Sequence, residues 1–165
     1  MRIWSRCALI AVGLIMIAVS TVMAEEPFEG QTQEWRGLFF TMKVDTLAME
    51  QLNDNVVGAR EMAGLAFYDD GEVATVDAWV SFFVEGGQSH YEGFARFQFP
   101  DGSTQTARLK GCMSPTGAEN GDFEFLCGSG RFRGITGTGS YASSGFSLAG
   151  DPFVHAQTTY RLLTD

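Results

Sequence analysis

Histidine, cysteine and proline are scarce in this chain: two, three and four residues among 165, with 11 basic side chains against 20 acidic ones. His90 and His155 alone cannot complete a zinc site, which needs further nitrogen or sulfur donors, so neither a metal nor a cofactor is expected. The basic deficit excludes nucleic acid as a partner, because such binding rests on Lys and Arg neutralising phosphates. Few prolines and no biased tail leave no linker between domains. No helix-opening Gly-x-Ser-x-Gly elbow is present, since Gly145-Phe-Ser-Leu-Ala149 lacks its last glycine, which argues against a serine hydrolase. The glycines of Gly134-Ile-Thr-Gly-Thr-Gly139 stand in the wrong order for a dinucleotide fingerprint.

The one long apolar run is Ala8 to Val19, preceded by Arg2 and Arg6 and followed by Val22-Met23-Ala24. This is the pattern of a cleavable export signal, too short for a membrane-spanning helix. Residues 1–24 are therefore expected to leave by cleavage after Ala24. Residues 25–165 would then form one secreted or periplasmic domain with no membrane attachment. Cys7 leaves with the signal, so an even pair, Cys112 and Cys127, remains in an oxidising compartment and is expected to form a disulfide. Closing a loop of that size would stabilise the fold by about 3 kcal/mol. Loss of Arg2 and Arg6 makes the mature net charge −11, which favours solubility.

Glycine is abundant, at 20 residues, and aromatic or β-branched segments alternate with turn dipeptides. Asp70-Gly71, Gly86-Gly87, Asp101-Gly102 and Asn120-Gly121 supply residues that tolerate positive φ at the tips of tight hairpins. Strands are predicted near Trp35–Asp45, Val57–Tyr68, Val73–Glu85, Ser89–Phe99, Thr104–Gly111, Asp122–Cys127, Gly139–Leu148 and Val154–Leu163, with a turn or short helix over Leu47–Asn55. The fold class is thus all-β, a single closed antiparallel barrel of about eight strands. Val76, Ala78, Val80, Phe82 and Val84 alternate with Asp77, Trp79, Ser81 and Phe83, and Tyr91 to Phe99 behaves the same way. Neither face of these strands is fully polar. A closed barrel explains one apolar face, and a partner, such as a second copy in a homo-oligomer, explains the other.

Phe99-Pro-Asp-Gly-Ser103, the strand ending Leu109-Lys110-Gly111, and the run from Phe123 to Tyr141 resemble the allene oxide cyclase and dirigent-like barrel superfamily. The shared core is Gly128-Ser-Gly-Arg-Phe-Arg-Gly134 followed by Gly137-x-Gly139; Lys43-Val-Asp-Thr46 and the Phe67 to Gly71 hairpin add weaker similarity to exported bacterial relatives. The resemblance implies an eight-stranded barrel in which this glycine turn joins two strands and Phe132 plugs one end. It also implies an apolar cavity, frequent oligomerisation, and a hydrophobic substrate held in one folded shape for cyclisation or coupling. Where the plant cyclases use a first-strand carboxylate and a thiol inside the barrel, this chain has Asp45, and Ala66 or Phe67.

Candidate acids are Asp45, Glu61, Asp77, Glu85 and Glu92; Asp45 and Asp77 are the two weighed for catalysis. Trp79, Phe83, Tyr91 and Phe97 are the expected lining of a ligand pocket. The leading expectation is binding of an apolar small molecule without established catalysis. An isomerase or cyclase acting in the cavity is the alternative, marked by an acid facing it. A structural or homo-oligomeric module with a solid interior is the third reading.

Overall fold

The computed structural model describes residues 30–49, 55–143 and 154–162. Eight strands follow in chain order: β1 Gln31–Met49, β2 Asn55–Tyr68, β3 Val73–Glu85, β4 Gln88–Gln98, β5 Thr104–Met113, β6 Glu119–Ser129, β7 Thr136–Ser143 and β8 Val154–Arg161. Each pairs antiparallel with the next, and β8 returns to pair with β1 from Gln31↔Tyr160 to Gly37↔Val154, so one antiparallel sheet closes into a ring. The all-β expectation holds.

Glycine does what the hairpins require at Gly86 and Gly87, whose φ of 57° and 82° form the two-residue tip between Glu85 and Gln88. Asn120-Gly121 is different. These residues lie inside β6, and the chain turns earlier, at Ser114–Gly117, where Gly117 has φ 85° and its N–H donates to the Ser114 carbonyl at 2.9 Å. Pro115 favours that turn by fixing its own φ. A second correction concerns Leu47–Asn55, read as a turn or short helix: Leu47 pairs with Val57 and Met49 with Asn55, so its described ends are strand, while residues 50–54 lie outside the described residues. β7 begins three residues earlier than expected, at Thr136, and the end expected at Leu148 lies outside the described residues.

The even positions of β3 face inward: Ala74, Val76, Ala78 and Val80 are buried, whereas Trp79 is 47% exposed. Small side chains are inside because an eight-stranded ring has room for only a few large ones. The large ones cluster at one end. Phe132, on a single 3-10 turn spanning Gly130–Phe132 between β6 and β7, stacks on Phe99 at 4.7 Å and meets Tyr160 at 6.4 Å, with Ile135 fully buried beside them. Gly130, at φ 60°, makes this turn possible, and the Arg131 N–H donates to Ser103 Oγ at 3.1 Å. The Arg131 guanidinium caps the plug over the Phe99 and Phe132 rings, at 4.8 and 4.7 Å, and pairs with Glu72 and Asp101. The glycine-rich turn therefore joins two strands and packs its aromatic into the core at one end of the ring.

The expected disulfide is not formed. β5 and β6 pair with Cys112 opposite Asn120 and Thr106 opposite Cys127, so the two thiols stand six residues apart along the sheet. At about 3.3 Å per residue that is roughly 20 Å. A disulfide needs Cα atoms within about 7 Å, so no local adjustment could bridge them.

Candidate functional site

A row of small residues crosses the inner wall where Ala78 pairs with Ala95 and Ala95 with Ala107. All three are buried and carry only a methyl group each, so the ring, filled by aromatics nearer the plug, is left with a cavity of about 210 Å³. Its floor is aromatic. Trp35 stands 5.4 Å from Phe97 and 6.4 Å from Phe123, and contacts through Tyr68 and Phe99 continue down to Phe132. Phe39, Met62 and Leu109 complete the apolar lining.

Polar groups gather at the end away from the plug: Arg60, Tyr91, Glu119, Tyr141 and Ser143 all line the cavity. The two tyrosines occupy one continuous register row, Tyr91–Gly111–Gly121–Tyr141, across β4 to β7. Their side chains lean toward each other over the glycines, and the hydroxyls meet at 2.8 Å. The glycines are needed there. A Cβ on Gly121 would lie 2.4 Å from the Tyr141 hydroxyl, and one on Gly111 2.6 Å from that of Tyr91. This explains why Asn120-Gly121 is strand rather than turn.

Burial pushes the Tyr91 hydroxyl far above the ordinary tyrosine range, and Glu119 adds to this through its charge and as a hydrogen-bond acceptor. Burial likewise raises Tyr141, although its bond with Tyr91 works the other way. Both phenols are thus neutral at physiological pH, and in their mutual bond one donates to the other. Arg60, half-buried on β2, stands 6.0 Å over the Phe82 ring, and its Nε–H is sealed from solvent with no acceptor. Glu119 and Arg60 form no ion pair with each other.

Of the four aromatics expected to line a pocket, Tyr91 and Phe97 do so. Trp79 and Phe83 share the opposite phase of β3, and Trp79 pairs on the outer face with Phe94, which is 49% exposed. Asp45 and Asp77 are outside the cavity as well: Asp45 is exposed and bonded to Lys43 at 2.7 Å, and Asp77 is exposed opposite Arg96. The acid that does face the interior, Glu119, was not among the candidates, and neither were Arg60 and Tyr141. A signal for them existed. Glu119 is in phase with Gly121, Phe123 and Phe125, and Arg60 with Met62, Gly64 and Ala66, so each is a charge on an otherwise apolar strand face.

Among the described residues no three His, Cys, Asp or Glu side chains cluster in a way that could hold a metal ion. No family model matches the chain, and no curated protein matches it. What fold and site define is an architectural class: an antiparallel eight-stranded ring, plugged at one end by aromatics and holding an apolar cavity with a polar rim.

Proposed function

We propose that this chain is an exported β-barrel protein, akin to the allene oxide cyclase and dirigent-like group, that binds a small, largely apolar molecule in its interior. The observation that carries the reading is the cavity of about 210 Å³ floored by Trp35, Phe97 and Phe123 and edged by a few polar groups, the usual composition of a small-molecule site. Trp35 supplies the readout. In a Trp79→Phe background, titration with the uncharged bicyclic 2-naphthamide should change Trp35 fluorescence saturably, and Ala95→Leu, which fills the cavity, should abolish the change. A fluorescence response that survives Ala95→Leu would place the ligand elsewhere and sink the reading.

A specific observation favours a second reading, an isomerase. Glu119 beside the Tyr91–Tyr141 pair forms a carboxylate with a two-phenol relay in an apolar setting. Such an arrangement can take a proton from a carbon next to a carbonyl while a phenol donates to the developing oxyanion. Proton–deuterium exchange into a bound cyclic ketone that is lost in Glu119→Gln would support it. Assembly is part of the proposal: the outer Trp79–Phe94 pair, with Leu65 and Phe67 also exposed, suits contact between copies, and sedimentation of a strict monomer would remove that element.

A further inference from the structure

Among the described residues Arg60 is the one cation lining the cavity, and no acid among them forms an ion pair with it. Its Nε–H is removed from water and has no acceptor among the described residues, a state that costs free energy unless something else supplies one. Neighbouring groups do not. The Phe82 ring lies 6.0 Å away, and the cavity acid, Glu119, belongs to β6, four strands from β2 in a ring of eight and hence on the opposite wall. The guanidinium thus presents an edge of N–H donors with a planar geometry that matches a carboxylate.

We infer that the ligand of this cavity is a compact aromatic monocarboxylate, with its carboxylate on Arg60 and its ring over the aromatic floor. The inference rests on the binding reading and adds the ligand's chemical class. A single negative charge is specified from both sides. Arg60 offers one positive charge, and Glu119 across the cavity repels a second anionic group while accepting from a neutral hydroxyl. A planar ring is favoured by the edge-on and tilted faces of Trp35, Phe97 and Phe123, whose centroids stand 5.4 to 6.4 Å from Trp35. The volume of about 210 Å³ suits one or two fused rings.

The test compares two probes of the same shape, 2-naphthoate and 2-naphthamide, by isothermal titration calorimetry on the full processed protein. The acid should bind about tenfold or more tightly than the amide, the margin expected of a hydrogen bond to a charged group. Arg60→Gln should erase that preference, and Arg60→Lys should restore part of it. Equal affinities for acid and amide in the unsubstituted protein would overturn the inference and leave the apolar-binding reading standing. A preference that persists in Arg60→Gln would also overturn it, by assigning the anion to another group. If neither probe binds, the binding reading falls and this inference falls with it. The comparison in the unsubstituted protein decides the matter even if Arg60→Gln does not fold.

Discussion

Tyrosine carries the clearest chemistry at the scale of single residues. All four tyrosines of the chain, Tyr68, Tyr91, Tyr141 and Tyr160, are held above their ordinary value of 10.0, in each case chiefly by burial. The folded state therefore keeps protons that the unfolded chain releases. Their contribution to stability is fully present below pH 10 and is lost as pH rises above it, because the unfolded state then binds fewer protons. Absorbance at 295 nm should accordingly rise at higher pH in the folded protein than in the unfolded chain and climb steeply with unfolding; a titration of all four tyrosines near 10 in folded protein would contradict this. Gly121→Ala should cost about 1–3 kcal/mol in denaturant unfolding, since the new methyl meets Tyr141 and the register gives it no room. Tyr141→Phe should relieve only part of that cost in the double variant, because the Lys110 carbonyl and the Tyr141 ring crowd the new methyl along with the hydroxyl. The residues that matter here were only half legible in the sequence. Tyr91 stood out as an aromatic on an alternating strand. Tyr141, among Gly137, Gly139 and Ser143, acquires its role only from Gly121 on the neighbouring strand and from Tyr91 beyond it.

Elements show where alternation fails as a guide. β3 is apolar on both faces, so its pattern could not tell whether Val76, Ala78 and Val80 or Trp79 and Phe83 pointed inward. Size decides it: a ring of eight strands cannot house two extra aromatics at that level beside Trp35 and Phe123, so the alanine face goes inside and Trp79 outside. The turn Gly130–Phe132 was legible, because its glycines and its buried aromatic lie within a few residues of one another. Phe132→Ala should be severe, about 3–5 kcal/mol by thermal or denaturant unfolding, since it empties the centre of the plug against Phe99 and Tyr160. Cysteine pairing was misjudged for a complementary reason. Count and compartment say nothing about register, which puts Cys112 and Cys127 far apart on neighbouring strands. Reductant should leave the melting temperature unchanged, and a thiol reagent should label exposed Cys127 before half-buried Cys112. A reductant-dependent drop in melting temperature would show the staple to exist after all.

At the scale of the whole molecule, strand number was read from turn dipeptides and closure from strands apolar on both faces, whereas the cavity followed from the meeting of three alanines on three strands. Filling it is the matching prediction. Ala95→Leu should leave stability within about 1 kcal/mol, because its added carbons enter empty space rather than a packed core, while removing ligand binding. One feature of the topology reaches beyond ligands. Every strand pairing but one joins neighbours in sequence; the exception is the seam between β1 and β8, which joins Gln31 to Tyr160 near the two ends of the described chain. Until the last strand arrives, both margins of the sheet are bare, with unpaired N–H and C=O groups ready to recruit another chain. Closing the seam bridges the longest stretch of described chain, so it is expected to come late in folding. A chain cut short after β7 should be prone to fibre-like stacking rather than merely weakened, which makes the final eight-residue strand the fold's safeguard against self-association.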